Sequence, residues 1–270
     1  DPLASAALGR MLTQRGDAAS RARGVALLRR AAAAEDREAQ DQLASCYLDG
    51  VGVPQDEAEA VRWYREAAKE SLPALVHLGT CYESGRGVQR DEAKAAQLYR
   101  QAAEGGSQES LVRLGRCYLE GIGVKRDPVE AVAWFRRSAK AGESQGACAL
   151  ARCYQEGQGV AKDEAEGARV YRRWAEAGSP EAMLMLGRCS QAGRGVPRSS
   201  TSAAAWIGKA AALGYPEATY ELGLLRLRGE GIPKNAAMAT NLFRRAATAG
   251  LPDAMVSLGV SLLKGRGVAT

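Results

Sequence analysis

The feature that most constrains this chain is a short turn that recurs at a nearly constant interval. A Gly-x-Gly step followed by Val or Ile begins at seven positions: Gly50, Gly85, Gly121, Gly157, Gly193, Gly229 and Gly265. The interval is 35 residues once and 36 residues five times. A fixed period in this range predicts a solenoid, because each unit can then bury the apolar face of its neighbour.

The segment before each turn has the periodicity of an α-helix. Ser110, Leu114, Gly115 and Tyr118 illustrate it, because residues at these spacings share one face of a helix. The leucine recurs at Leu8, Leu43, Leu78, Leu114, Leu150, Leu186, Leu222 and Leu258. We predict a first helix here, with Gly or Ala after the leucine so that a neighbouring backbone can approach closely.

The segment after each turn predicts a second helix. Each begins with a residue whose side chain can cap free N–H groups: Ser20, Asp56, Asp91, Asp127, Asp163, Ser199 and Asn235. A bulky pair follows in every unit, such as Trp63 and Tyr64. Four of these helices are expected to end at a left-handed glycine: Gly142, Gly178, Gly214 and Gly250.

Together these residues resemble the Sel1-like repeats, which are α/α solenoids akin to tetratricopeptide arrays. The shared pattern is A-x-x-x-L-G-x-x-Y-x-x-G-x-G-V-x-x-D followed by A-x-x-W-Y-x-x-A-A-x-x-G, and it covers almost the whole chain. The resemblance implies an all-α fold, a right-handed α/α superhelical solenoid of about seven and a half helix-turn-helix repeats. One array would occupy residues 1–270, with approximate repeats 1–35, 36–70, 71–106, 107–142, 143–178, 179–214, 215–250 and a partial 251–270.

The chain departs from this pattern at both ends. The first turn is replaced by residues 15–18, and tyrosine is replaced by Ser190 and Arg226 in the sixth and seventh repeats. The resemblance implies a scaffold or adaptor that binds a protein or peptide through the concave face. We therefore expect a non-catalytic protein that needs no cofactor.

The exposed stripe of the first helices is the candidate binding site. If Leu114 faces the core, Arg113 and Arg116 lie on the opposite stripe. The candidate partner-binding residues of this stripe are His77, Arg113, Arg116, Arg152, Met185, Arg188, Glu221 and Leu224.

Three of these residues, Arg116, Arg152 and Arg188, fall one per repeat. Their guanidinium groups would hold the carboxylates of an acidic peptide, and the alternative is an ordinary solvated polar face. Met185 and Leu224 place apolar groups on columns that are polar earlier in the chain, which is typical of a partner hot spot.

A second column of arginines runs along the second helices and is interpreted as structural and solubilising. Its members are Arg29, Arg65, Arg100, Arg136, Arg172 and Arg244. This position matches the ordinary basic position of the repeat after the bulky pair.

The sequence offers little catalytic chemistry. His77 is the only histidine, so a site with several histidine ligands is not available. His77 and Cys81 lie at i and i+4, but four other cysteines occupy the same column without a histidine, so packing explains the thiol better than a catalytic pair. We predict no catalytic residue and no metal site.

Charge and cysteine content bear on partner and compartment. Residues 136–270 hold 19 basic and 11 acidic side chains, whereas residues 1–135 hold 18 and 20. The basic half favours an acidic partner, and nucleic acid is not favoured because a platform of interleaved aromatic residues is missing. Cysteines in adjacent repeats would lie about 9–10 Å apart, too far for a disulfide, so six free thiols predict a cytoplasmic protein.

Membrane insertion is not expected, because no run of 18 apolar residues is present. The chain begins at Asp1 and ends directly after a turn motif, which we interpret as a fragment or processed form. Two alternatives to the adaptor stay open. One is a regulatory or substrate-docking module excised from a larger enzyme, such as a kinase or a membrane-linked synthase regulator. The other is self-association through the open C-terminal helix.

Overall fold

The computed structural model describes residues 2–265, with side chains from residue 4 onward. These residues form 15 α-helices and no strand, so the predicted all-α solenoid fold is confirmed. The chain divides into two compact units, residues 1–134 and 135–270. The predicted last turn lies outside the described residues beyond Gly265.

The helices alternate between the predicted first and second helices of each repeat. Residues 1–134 contain α1 (Pro2–Thr13), α2 (Ala18–Ala33), α3 (Arg37–Asp49), α4 (Glu57–Ala67), α5 (Leu72–Ser84), α6 (Glu92–Glu104) and α7 (Gln108–Glu120). The boundary between the units lies inside α8 (Pro128–Lys140). Residues 135–270 contain α9 (Ser144–Glu156), α10 (Glu164–Glu176), α11 (Pro180–Ala192), α12 (Ser200–Ala212), α13 (Pro216–Arg228), α14 (Ala236–Thr248) and α15 (Pro252–Leu263).

Side-chain caps start the second helices at six of the seven predicted residues. At α6, for example, the Asp91 carboxylate accepts a hydrogen bond from the Lys94 backbone N–H at 2.9 Å. The prediction of Ser20 as the first cap is wrong, because Asp17 caps α2 and accepts from the Ser20 N–H at 2.7 Å. The first turn is shorter than the later ones, so a register counted from the later turns places the first cap three residues too late.

The four glycines predicted to end second helices all have positive φ, from 80° at Gly214 to 97° at Gly178. First helices end in the same way. Gly121 has φ 80°, and its N–H donates to the Cys117 carbonyl at 2.8 Å. The repeated Gly-x-Gly step is therefore a helix stop and a connector.

The leucine column forms the core of residues 1–134 from Leu43 onward, whereas Leu8, which was predicted to belong to it, is 44% exposed. Leu43 and Leu114 are fully buried, and the second-helix rings of Tyr64 and Tyr99 pack among them.

The small residue after the leucine meets a backbone in the first repeat and a side chain in later ones. A Cβ added at Gly9 would lie 2.9 Å from the Gly24 carbonyl oxygen, which is the predicted close approach of a neighbouring backbone. A Cβ added at Gly79 would lie 2.7 Å from the ring of Tyr99, so the space admits an aromatic ring and not a neighbouring backbone.

Residues 135–270 have the same construction. Leu186, Ile207 and Phe243 are buried, and a Cβ at Gly187 would lie 2.6 Å from Ile207. The column is less well covered towards its end, because Leu258 is only half buried. The exposed apolar side chains of α15 are Met255, Val256, Val260, Leu262 and Leu263.

All six cysteines are free and buried. Five of them form the predicted column: Cys46, Cys81, Cys117, Cys153 and Cys189. Burial raises the pKa of the Cys46, Cys81, Cys117 and Cys153 thiols to about 11. Because the thiolate is the nucleophile, these side chains act as packing groups.

The second-helix arginine column connects successive repeats. Arg29 donates to the Tyr47 hydroxyl at 2.7 Å, and its guanidinium lies 5.5 Å from the centre of that ring. The same contact recurs in three more pairs: Arg65 with Tyr82, Arg100 with Tyr118 and Arg136 with Tyr154. The structural interpretation of this column therefore has a physical basis in four repeats.

Candidate functional site

The stripe exposed along the first helices contains the eight candidate residues, and their surroundings differ from repeat to repeat. His77 on α5 lies against α3, where its Nδ1 is 2.8 Å from a carboxylate oxygen of the buried Asp41. The ring of Tyr64 packs on His77 with centroids 5.3 Å apart. The hydrogen bond to Asp41 raises the pKa of His77 above its ordinary value. His77 thus links two first helices and is not an isolated groove residue.

Arg113 on α7 is held from two sides. Its Nε and Nη2 both donate to the same Glu109 oxygen, at 3.0 and 2.8 Å. Its guanidinium lies 5.7 Å from the centre of the Tyr99 ring. Arg113 is therefore already partnered within the chain, which lowers its capacity to bind a second carboxylate.

Arg116 belongs to a polar network that joins α7 to α5. Its Nη2 donates to Glu83 at 2.6 Å. The other Glu83 oxygen accepts from the Tyr99 hydroxyl at 2.7 Å, and that hydroxyl lies 3.3 Å from Thr80. The Arg116 guanidinium is half exposed, but its charge is balanced by the Glu83 carboxylate.

Arg188 and Glu221 form the corresponding pair in residues 135–270. Two guanidinium nitrogens of Arg188 on α11 donate to one Glu221 oxygen on α13, Nε at 2.8 Å and Nη2 at a short distance. The Met185 sulfur lies 3.8 Å from the same guanidinium, and Met185 packs partly against the core. The structure therefore brings these three predicted residues together.

A cleft of about 290 Å³ opens beside this ion pair. Its lining residues are Arg188, Gln191, Tyr220, Glu221, Leu224, Leu225 and Arg228. The half-buried Leu224 and the buried Leu225 supply apolar surface, whereas the charged groups lie around it. An apolar floor with a few convergent polar groups is the usual construction of a site that binds a partner side chain.

Arg152 on α9 is the exposed member of the predicted ladder that makes no ion pair with the described residues. It lies near Glu181, whose pKa is raised by burial and lowered in part by the Arg152 charge. Of the three arginines expected to hold an acidic peptide, Arg116 and Arg188 are therefore paired in the chain, and Arg152 keeps an open guanidinium.

The sequence interpretation missed the carboxylates and aromatic rings that accompany the candidates. Asp41, Glu83 and Tyr99 complete the contacts in residues 1–134, and Tyr220 and Arg228 complete the cleft in residues 135–270. The spacing of opposite charges in the sequence could have indicated these contacts. Opposite charges 33 residues apart, one repeat minus one helical turn, lie on neighbouring first helices, as Arg116–Glu83 and Arg188–Glu221 do.

Within residues 2–265, no group of three His, Cys, Asp or Glu side chains has an arrangement that could hold a metal ion. In the same part of the chain, no helix has the length and apolar character needed to cross a membrane. The surface chemistry of the candidate face is thus ion pairs, aromatic contacts and one apolar cleft.

Comparison with protein families finds the Sel1 repeat in seven consecutive segments: residues 2–36, 37–72, 72–107, 108–143, 144–179, 180–215 and 216–251. Comparison with curated proteins finds no match.

Solved structures of related proteins share the fold. A Sel1 repeat protein from Oxalobacter formigenes is 29% identical, with a TM-score of 0.74, and the match covers 90% of this chain and 96% of that one. A protective antigen present in uropathogenic Escherichia coli strains, displaying an SLR fold, is 30% identical with a TM-score of 0.66. That match covers 97% of this chain but only 57% of the antigen. An immunity protein from Pseudomonas aeruginosa, 19% identical with a TM-score of 0.55 over 79% of this chain and 81% of its own, shares the fold alone.

Proposed function

The chain belongs to the Sel1 repeat family, whose members typically mediate protein–protein interaction, and from that premise we propose that it is a non-catalytic scaffold that binds a peptide segment of a partner on its first-helix stripe. The binding site that we propose is the cleft between α11 and α13. One observation carries the proposal. The cleft combines the apolar Leu224 and Leu225 with a polar rim of Arg188, Glu221 and Arg228.

The chemistry of the cleft defines the peptide that would fit. An apolar or aromatic side chain would pack on Leu224 and Tyr220, where burial of apolar surface favours binding. Arg228, which is 58% exposed, lies at the rim, and its Nη1 is 3.8 Å from a Glu230 carboxylate oxygen. This long and exposed ion pair is weak, so Arg228 would also meet an acidic or carbonyl oxygen of the same peptide. The Arg188–Glu221 pair would fix the orientation of the peptide more than its affinity, because that pair is already formed in the chain.

A selection from a phage-displayed library of random dodecapeptides tests this proposal. Enriched peptides would be synthesised, and calorimetry would measure their affinity for the wild type and for Leu224→Asp and Arg228→Gln. We expect Leu224→Asp to weaken binding about tenfold or more, because it replaces the apolar surface of the cleft with a hydrated carboxylate. Arg228→Gln should weaken it less, because it lies at the exposed rim.

Two matched variants provide the control. Met238→Asp and Arg173→Gln make the same chemical changes at exposed positions of the second helices α14 and α10. They should leave affinity unchanged. Loss of affinity in the control variants equal to that of the cleft variants would overturn the proposal, and so would the absence of any enriched peptide.

Self-association is a second candidate, and the exposed apolar side chains of α15 favour it. Val256 is 67% exposed and Leu263 is 90% exposed, and their spacing of seven residues places them on the same face of α15. Sedimentation velocity over a wide concentration range would test it. Reversible association that Val256→Asp and Leu263→Asp abolish would support this candidate, whereas a monomer at every concentration would exclude it.

A further inference from the structure

Basic side chains stand directly before the caps of five second helices. They are Arg90, Arg126, Lys162, Arg198 and Lys234. In the earlier repeats these cations have partners in the chain. Arg90 forms an ion pair with Glu92, Lys162 with Glu164 at 2.8 Å, and Arg126 donates to a backbone carbonyl at 2.9 Å.

The last two members of this column, Arg198 and Lys234, lack the carboxylate partner that Arg90 and Lys162 have. Neither α12 nor α14 has an acidic residue in its first turn, and their caps are a neutral serine and a neutral asparagine. Ser200 and Ala236 occupy the positions that glutamates fill in α6 and α10. Arg198 and Lys234 are exposed and make no ion pair with the described residues.

A second set of contacts is lost in the same repeats. Arg136 donates to the Tyr154 hydroxyl at 3.1 Å, but Ser190 replaces the tyrosine in the next repeat. The exposed Arg172 therefore has no hydroxyl partner there. In the following repeat the tyrosine position is Arg226, whose Nη1 lies 3.3 Å from the Pro233 carbonyl, beside the loop that carries Lys234.

The repeat geometry places these cations on one surface. In residues 1–134, a cleft of about 620 Å³ is lined by Arg65, Tyr82 and Arg90 together. The residues at the same repeat positions in residues 135–270 are Arg172, Ser190 and Arg198, followed one repeat later by Arg226 and Lys234. We call Arg172, Arg198, Arg226 and Lys234 the basic edge.

We propose that the basic edge binds an acidic polypeptide segment, as a second interaction surface that shares no residue with the first-helix cleft. Charge complementarity carries the proposal, because Arg172, Arg198 and Lys234 are exposed, form no ion pair with the described residues, and occupy repeat positions that line one cleft in residues 1–134. Equivalent positions in neighbouring repeats lie roughly 10 Å apart. An extended peptide rises about 3.3 Å per residue, so a carboxylate at every third residue would meet successive repeats.

The replacement of the repeat tyrosine by Ser190 and Arg226 argues against nucleic acid binding on this edge. Non-specific binding of single strands relies on aromatic rings on which bases stack. The aromatic column is interrupted here, because serine and arginine stand at positions 190 and 226. The basic edge thus has positive charge but an interrupted column of aromatic rings, so it suits carboxylates better than nucleic-acid bases.

A fluorescein-labelled peptide with Glu at every third position, and its Gln counterpart, provides the probe for a fluorescence anisotropy titration. The Glu peptide should bind and the Gln peptide should not, and added salt should weaken binding. The triple variant Arg172→Gln, Arg198→Gln and Lys234→Gln should lose about tenfold in affinity, as expected for three exposed charge contacts. The control variant Arg152→Gln, Arg169→Gln and Arg245→Gln removes equal charge at exposed positions of residues 135–270 outside this column and should keep its affinity.

A second variant tests the proposal without removing any cation. The double substitution Ser200→Glu and Ala236→Glu restores the carboxylates that α6 and α10 have, so that Arg198 and Lys234 are paired within the chain. It should weaken binding of the Glu peptide as much as the triple variant does. Its control is Ala212→Glu and Thr248→Glu, which adds the same charge at exposed positions near the other ends of α12 and α14.

Equal losses in a variant and its control would show that net charge alone drives binding and would overturn the proposal. Tighter binding of an oligothymidylate than of the Glu peptide would overturn it in favour of nucleic acid. The peptide selection on the Leu224 cleft reports on a separate set of residues, so failure here leaves the cleft proposal standing, and the reverse is also true.

Discussion

The turn glycine Gly123 and the helix residue Glu92 are in close backbone contact. A Cβ built on Gly123 would lie 1.9 Å from the Glu92 carbonyl oxygen, a distance that no side chain tolerates. Gly123 also has φ 66°, in the left-handed region. The second glycine of the recurring turn is therefore required because the start of the preceding second helix packs directly on it.

Substitution of Gly123 should be strongly destabilising. We expect Gly123→Ala to lower the free energy of unfolding by more than about 2 kcal/mol, because the methyl group forces the turn away from Glu92 and strains the backbone. Gly208→Ala is the control, because Gly208 lies inside α12 and an added Cβ would meet nothing within 4 Å except its chain neighbours and the backbone of its own helix. That change should stabilise by about 0.5–1 kcal/mol. Urea titrations that give equal effects would contradict the packing of this turn.

The leucine column should be most sensitive where it is fully covered. Leu186→Ala should lower the free energy of unfolding by about 2–5 kcal/mol, because Leu186 is 1% exposed and its loss leaves a cavity. Leu258→Ala should cost less, since Leu258 is only half buried. Denaturant titration of both variants would measure the difference. A larger loss at Leu258 would be incompatible with this register.

Periodicity predicted the helices, the turns and the buried column, because each repeat encodes the same local pattern. It failed at Ser20, since the first turn is shorter and the cap moved to Asp17. The close approach of Gly123 to Glu92 could not be predicted either, because the sequence of the turn does not specify which backbone packs against it.

The candidate face was predicted less completely than the fold. Its eight residues do lie on the first helices, but Arg116 and Arg188 are occupied by Glu83 and Glu221. Which rotamer an exposed arginine adopts depends on the neighbouring repeat, and one helix considered alone does not specify it. The cleft beside Leu224 depends in the same way on how α11 and α13 pack.

His77 should titrate above the usual range for histidine. The hydrogen bond to Asp41 raises its pKa in the folded protein, with Glu109 adding to the rise and Arg113 opposing it. Because the folded value is higher than the unfolded value of about 6.5, the stabilisation is complete below that pH and is lost as pH rises through the folded pKa. NMR titration is direct, since His77 is the only histidine.

Asp41→Asn should lower the pKa of His77, because it removes the carboxylate that raises this pKa and leaves the burial that lowers it. The same variant should abolish the extra stability of the wild type at low pH, as measured by urea titration at two pH values. A wild-type midpoint at or below 6.5 would show that burial outweighs the hydrogen bond to Asp41.

The thiols should react only after unfolding. All six are buried, and burial raises the pKa of four of them to about 11, so the native protein near pH 8 presents almost no thiolate. Ellman's reagent should therefore label the native chain slowly and six groups rapidly in denaturant. Ser202→Cys, at an exposed position of α12, should add one group that reacts at once and shows that the reagent is active. Rapid labelling of the native wild type, or a disulfide between column members such as Cys46 and Cys81 found by mass spectrometry, would contradict both the burial of the cysteine column and the spacing of the repeats.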